Sequence, residues 1–233
     1  MTRGLKIYVG YDPREDIAWR VCRHSILRHA SAPVAIHPLR LRSLRELGLY
    51  ARPDDAGATT EFSLTRFLTP HLAAHDGWSL FVDCDFLLTA DIWRLVAGLD
   101  PSMAVHCVKH AYTPRRTRKM DGQVQSAYPR KNWSSFLLFN GAHPAVRALT
   151  PAVVNERSPA HLHRLEWVAD AAIGGLPVTW NFLEGEYDPP PSPPNAIHFT
   201  NGGPWFPECR DVAYADLWRA ERDLCLRAAS AAA

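Results

Sequence analysis

The chain has 233 residues, 47% of them hydrophobic and 21% charged, with a formal net charge of +2. That is enough apolar material for a single domain spanning 1–233, and the charge gives no global signal for nucleic acid or another acidic polymer. Five scattered cysteines (Cys22, Cys84, Cys107, Cys209, Cys225) without a CxxC pair argue against a disulfide framework, and no apolar run approaches the ~20 residues of a membrane span. With no signal-peptide pattern ahead of the first strand, the expectation is a cytoplasmic protein without a transmembrane segment, peripheral membrane contact staying open.

Leu5 to Val9 reads as a buried strand stopped by Gly10 and the Asp12-Pro13 turn. Helical spacing from Arg14 to His29 puts Ile17, Val21, His24 and Ile26/Leu27 near one face. Val34 to Leu39 reads as a second strand and Leu44 to Thr60 as irregular. A helix is expected over Leu64–Ala74 with Leu64, Phe67, Leu68 and Leu72 inward, followed by a strand over Ser79–Val82. Met103–Lys109 and Ser135–Phe139 are further strand candidates, and Ala145–Thr150 is a helical turn. Leu176–Trp180 reads as an edge element, since Pro177 is tolerated only at an edge or a strand start. Asp211–Ala228 reads as a helix with Tyr214, Leu217, Trp218, Leu224 and Cys225 on one side, ahead of a frayed tail. The early strand–helix–strand alternation predicts an α/β sheet, whose ligands bind beyond the carboxyl ends of the strands. The Gly10–Asp12 turn and Asp83–Asp85 then share one rim.

Leu80-Phe81-Val82-Asp83-Cys84-Asp85-Phe86-Leu87-Leu88 carries the most information. An apolar strand ends in two carboxylates two residues apart, and ionised carboxylates are costly to bury unless paired or metal-bound. In an extended segment they point to the same side and can converge on one cation; a pair of solvated turn carboxylates is the plain alternative. A hard divalent ion that shares its oxygen ligands with a phosphate is the leading candidate.

The surroundings resemble a known family. Glu61-Phe62-Ser63-Leu64-Thr65-Arg66-Phe67-Leu68-Thr69-Pro70, a short link, and then the Asp-x-Asp strand running on to Asp91-Ile92 resemble the central block of family 8 glycosyltransferases. Lys6-Ile7-Tyr8-Val9-Gly10-Tyr11-Asp12 resembles that family's first strand, and Asn132-Trp133-Ser134-Ser135-Phe136 its Asn-Ser-Gly segment. Leu176-Pro177-Val178-Thr179-Trp180-Asn181 and His198-Phe199-Thr200-Asn201-Gly202-Gly203-Pro204-Trp205 resemble its Leu-Pro-x-x-Trp-Asn and late His-x-x-Gly…Pro-Trp elements, in the family's order.

The resemblance implies a GT-A fold: a Rossmann-like mixed sheet flanked by helices, with the Asp-x-Asp motif at a central strand end. It divides the chain into a nucleotide-binding half (1–100), a donor and acceptor half (101–210) and a C-terminal helix and tail (211–233). It implies a metal-dependent transfer from a nucleotide sugar, UDP-linked, to a glycan, lipid or protein acceptor, with retention of configuration. Asp83, Asp85 and His198 would hold Mn2+ or Mg2+. Gly10, Tyr11, Asp12 and Arg66 would serve the nucleotide; Lys131, Asn132, Ser134, Gly202 and Gly203 the donor sugar and diphosphate; Trp180 and Asn181 the acceptor side. The chain departs from the family in carrying Gly203 where a diphosphate-binding lysine stands, so the cation there would come from Lys131, Arg130 or Lys109. The acidic acceptor-side pair has only Glu166 and Asp170 as nearby candidates for a catalytic role.

Two rival functions stay open from the residues: a phosphohydrolase of the haloacid-dehalogenase type using the Asp83/Asp85 strand end, and a sugar-nucleotide binder without catalysis. Two strands precede Asp83, whereas such a hydrolase normally carries its nucleophile on the first. The His71/His75 and His161/His163 pairs lack further ligands and read as solvated, and His106 and His110 read at most as pocket lining. The basic run Arg115-Arg116-Thr117-Arg118-Lys119 reads as a solvated loop or one that meets the diphosphate, an anionic acceptor or a membrane surface.

Overall fold

The computed structural model describes residues 4–53, 60–115 and 128–231; most of the basic run, and Asp54-Asp55, lie outside the described residues. The elements, in chain order, are β1 (Leu5–Gly10), α1 (Asp16–His29), β2 (Val34–Leu39), α2 (Leu41–Glu46), α3 (Thr69–Leu72), β3 (Trp78–Val82), β4 (Phe86–Leu88), α4 (Ile92–Val96), β5 (Val105–Cys107), β6 (Phe136–Asn140), α5 (Pro144–Ala148), α6 (Pro151–Glu156), α7 (Pro159–His163), β7 (Ile173–Gly175), β8 (Phe182–Leu183), β9 (Ala196–His198) and α8 (Ala215–Ala231).

Six strands form one sheet in the order β2-β1-β3-β6-β5-β7, and three short ones form a second in the order β4-β9-β8. In the large sheet β1 runs parallel to β2 and β3, while β6 is antiparallel to both β3 and β5, and β7 parallel to β5. Five of the six carboxyl ends therefore lie at one rim, and β6 starts there. From β1 the chain turns out to β2 and then crosses back to β3 on the other flank, so the switch in strand order opens a crevice above β1 and β3.

The central strands of the large sheet are apolar on both faces: Ile7, Val9, Leu80, Phe81, Val82 and Phe136 to Phe139 are wholly buried, while the edge strand β2 is largely exposed. The central strands have the unbroken hydrophobic reading of strands covered on both sides, rather than an alternating one. A smaller apolar cluster, Val21, Leu87, Ile197, Phe199 and Trp218, joins α1 and α8 to the second sheet.

Several local expectations are corrected. Leu64–Ala74 is not one helix but a 3-10 turn, Thr65–Leu68, followed by α3. Pro70 has no N–H for a continuous ladder and sits in the first turn of the new helix; Ala74 and His75, at φ of 57° and 53°, end it. The edge strand precedes Leu176 as β7, and Val178–Trp180 is a 3-10 turn behind Pro177. The segment read as irregular from Leu44 includes the second half of α2. Leu27, Leu217 and Leu224 are about 40% exposed instead of inward. The α1–α8 seam is built instead on Trp218, Cys225 and a charge cluster: Glu221 receives His24 Nδ1 at 2.6 Å and Arg28 Nη2 at 2.6 Å.

Candidate metal and nucleotide site

The chain leaves the large sheet at Val82 and enters the small one at Phe86, so Asp83-Cys84-Asp85 is the crossing between them. The Asp83 N–H donates to Ser135 O at 3.0 Å, at the start of β6, and Asp85 O accepts from Phe199 N at 3.0 Å, just past β9. Cys84 is buried between the two carboxylates. Cys84 and Asp85 form a turn, so it is the change of sheet rather than an extended backbone that aims both carboxylates at one place. In the β4–β9 register His198 lies opposite Phe86, and its ring stacks on the Phe86 ring at 4.3 Å and 20°.

One ligand atom from each of Asp83, Asp85 and His198 lies within 4.8 Å of the other two. His198 Nε2 is 3.3 Å from Asp85 Oδ2, and its Nδ1 is 2.9 Å from Asn181 Oδ1. Arg66 Nη1 is 3.0 Å from Asp83 Oδ1, and the same guanidinium donates to Ser63 O and Ser134 O at 2.9 Å each, over the Phe81 ring. Two carboxylates and an imidazole suit a divalent cation such as Mn2+, with coordination left over for phosphate oxygens. The donor set fits the metal that the sequence implies.

At the end of β1, Asp12 is almost fully buried. Oδ1 accepts from Arg14 N and Nε at 3.0 Å each, and Oδ2 from Arg14 Nη2 at 2.8 Å and Glu61 N at 3.3 Å. Burial works to raise its pKa, but the Arg14 contacts and the Glu61 N–H outweigh it and hold the carboxyl below the usual range. The Tyr11 hydroxyl donates to Asp16 at 3.0 Å, and the Arg40 guanidinium lies 3.6 Å over its ring centre. A Cβ on Gly10 would meet the Phe62 ring at 2.5 Å, so that glycine admits an aromatic under the rim.

Of the residues assigned to the donor, Lys131 is buried beside the Tyr128 ring. Asn132 stands in the left-handed region at φ 62°; its Nδ2 reaches Tyr112 Oη at 2.8 Å and Thr200 Oγ1 at 3.2 Å. Ser134 Oγ pairs with His163 Nδ1 at 2.9 Å. Gly202 is at φ 111°, and a Cβ on Gly203 would fall inside the Trp205 ring, at 1.9 Å. Trp180 and Asn181 are buried, Asn181 completely. Glu166 is an exposed group beside His161 and Arg164, and the exposed Asp170 pairs with Arg130 Nη2 at 2.6 Å. The triad thus comes together, while these two carboxylates face solvent with partners of their own.

Three buried carboxylates near the triad were not singled out from sequence, and His110, read at most as pocket lining, joins them. The Glu15 carboxyl is buried, and its pKa is raised by that burial and then by the charges of Asp85 and Asp12. Glu184 follows β8; its N–H donates to His198 O at 2.9 Å and its Oε1 accepts from Ala213 N at 3.1 Å. Glu186 accepts from Asn201 Nδ2 at 2.9 Å and from Arg115 N at 2.8 Å. His110 Nδ1 meets Tyr187 Oη at 2.8 Å, and burial, then the neighbouring His198, pushes its pKa down to about 3. The Glu184-Gly185-Glu186 spacing was the available signal for two of them.

No protein-family model matches the chain. Among solved structures, the apo bifunctional glycosyltransferase WbbM superposes with a TM-score of 0.66 at 15% identity over 95% of this chain, which spans only 50% of that one. The galactosyltransferase LgtC, in complex with donor and acceptor sugar analogs, gives 0.60 at 11% identity over 94% of this chain and 95% of its own. GlyE of Streptococcus pneumoniae gives 0.61 at 12% identity over 97% and 63%. The fold is that of the GT-A glycosyltransferases. Protein CDI of Arabidopsis thaliana is 51% identical over 224 residues, which cover 94% of this chain and 86% of that protein, and the chain belongs to its family.

Proposed function

We propose that the protein is a metal-dependent glycosyltransferase that uses a nucleotide-sugar donor, UDP-linked by the family 8 resemblance, and retains anomeric configuration. The observation that carries this reading is the meeting of Asp83, Asp85 and His198 within 4.8 Å at the carboxyl-end crevice of a GT-A sheet. Those three residues hold one divalent ion, Mn2+ before Mg2+ because one donor is an imidazole. When bound, the ion takes up charge on the departing nucleoside diphosphate.

The protein's own groups do the rest. Arg66 shares Asp83, fixes that carboxylate by an ion pair and keeps positive charge beside the diphosphate. Tyr11 and Arg40, stacked at the ends of β1 and β2, form the wall against which the base lies. Asp12 acts mainly through Arg14 and the Glu61 backbone, holding the loop that faces the ribose. The left-handed Asn132 and the Gly202-Gly203 turn frame the sugar and phosphates. Retention places the acceptor on the leaving-group face, where a phosphate oxygen takes its proton, so no dedicated carboxylate base is required and Glu166 and Asp170 need no part in it.

Calorimetric titration with UDP and several nucleotide sugars, with Mn2+ and then with chelator, tests the reading. Binding of UDP that vanishes in chelator is expected. Equal binding in chelator, or none with any nucleotide, overturns it.

A further inference from the structure

The hydrogen bonds behind His198 form a chain whose direction can be read without seeing a proton. Asn181 is fully buried, and one end of its side chain lies 3.2 Å from the backbone carbonyl of Asn132 and 2.9 Å from Ser135 Oγ. A backbone carbonyl can only accept. The end of the amide that faces it is therefore the NH2 group, and Oδ1 is the end that faces His198 Nδ1 at 2.9 Å. An amide oxygen can only accept as well, so Nδ1 must carry the proton. In the neutral ring the lone pair then sits on Nε2, which looks at Asp85 across 3.3 Å. A lone pair facing a carboxylate at that range is repulsive until a cation stands between them.

We propose, on the reading of the triad as a metal site, that Asn181 is a positioning residue: it passes the polarity of the Asn132 carbonyl to His198 and locks the tautomer that presents Nε2 as a metal ligand. The device is anchored at a left-handed residue. Asn132 adopts φ 62°, a conformation that costs free energy for a non-glycine residue, and it turns its carbonyl toward both Ser135 Oγ, at 2.7 Å, and Asn181. On the far side the Phe86 ring, stacked at 4.3 Å, prevents the imidazole from tilting away. Asn181 thus serves the metal from behind, and its complete burial removes it from any acceptor surface. A partner that fixes the ring nitrogen opposite the metal typically accounts for 10–100-fold in metal affinity.

The first test needs no variant. Long-range proton–nitrogen NMR on the metal-free protein, at a pH alkaline enough for neutral imidazoles, reports which His198 nitrogen is protonated. A proton on Nδ1 is expected; a neutral ring protonated on Nε2 overturns the proposal. The second test is Mn2+ binding by calorimetry to the wild type, Asn181→Ala and Ser135→Ala, with circular dichroism as the check on folding. Asn181→Ala is expected to bind roughly 10–100-fold more weakly and to show a mixed tautomer. Ser135→Ala keeps the Asn132 carbonyl and is expected to keep the tautomer. If Asn181→Ala folds and binds Mn2+ as the wild type does, the positioning role is wrong while the metal site stands. If the wild type binds no divalent ion, it is the glycosyltransferase reading that fails.

Discussion

The two sheets are built on opposite terms. The six-stranded sheet is held by apolar side chains that water never reaches, Phe81, Phe136 and Phe139 among them. The three-stranded sheet has strands of two or three residues, too short to stand alone, and bears the polar machinery: His198 on β9, Asn181 and Glu184 flanking β8, and Asp85 leading into β4. On the proposed reading, one sheet carries the stability and the other orients the ligands. Substitutions should therefore separate into two classes, and the separation is what experiments can break.

The largest effects come from one substitution in the large sheet and one at the entry to the small sheet. Phe81→Ala opens a cavity in the middle of β3 and should cost about 3–5 kcal/mol of unfolding free energy. Asp85→Asn should leave the denaturant midpoint nearly unchanged but remove metal-dependent donor turnover, by roughly 100-fold or more. Urea titration and a donor-turnover assay on both variants check the pair. Full activity in Asp85→Asn would take that residue out of the site.

Arg66 joins the two regions, since it rests on Phe81 and pairs with Asp83. Arg66→Met removes one member of a largely buried ion pair, and about 3–5 kcal/mol of stability should go with it. Because the Asp83 carboxylate then lacks its guanidinium, Mn2+ should raise the melting temperature more in this variant than in the wild type. An equal shift in both would mean that the ion does not use Asp83.

The same contrast explains what the sequence disclosed. β1, β3 and β6 were legible because continuous runs such as Ser79–Val82 and Phe136–Phe139 suit strands buried on both faces, while β2 is a largely exposed edge strand in which only Leu39 is buried. Asp83, Asp85 and His198 were legible through the resemblance, and the acidic pair also through its misfit at a strand end. The small sheet was not legible: Phe182-Leu183 and Ala196–His198 are too short for any periodicity to show. Asn181 was assigned to the acceptor side because its burial and its contact with His198, seventeen residues on, arise only in space. On α8 the buried stripe runs through Glu221, a charge that no hydrophobic pattern anticipates.

Each region also hides a neutral histidine. Near the large sheet, His163 packs edge-on against Phe67 and bonds Ser134, and its pKa is pushed down to about 3 by burial and then by the Arg66 charge. His110, beside the small sheet, is lowered to about 3 as well. An unfolded histidine takes up its proton near pH 6.5, so these two stabilise the fold fully above that value and the contribution is lost as pH falls toward 3. Each should lower stability by about 1.4 kcal/mol per pH unit in that window. His163→Gln should make the slope shallower by one proton in urea titrations at successive pH values, and an unchanged slope would mean that His163 is already protonated in the folded state.

The smallest effect is expected at the outer margin of the small sheet, where two carboxylates meet the same arginine in different surroundings. Asp188 takes the Arg115 guanidinium at 3.1 Å with both side chains more than half exposed. Such a pair is screened by water and costs side-chain entropy to hold, so Asp188→Asn should change stability by no more than about 0.5 kcal/mol. Two residues earlier, Glu186 is buried and accepts from the Arg115 backbone and from Asn201. Glu186→Ala deprives both donors of an acceptor where water does not replace it, and about 1–3 kcal/mol should be lost. Each variant removes one carboxylate that meets Arg115, one exposed and one buried. Equal melting temperatures for Asp188→Asn and Glu186→Ala would mean that the polar network of the small sheet contributes to orientation alone and nothing to the fold.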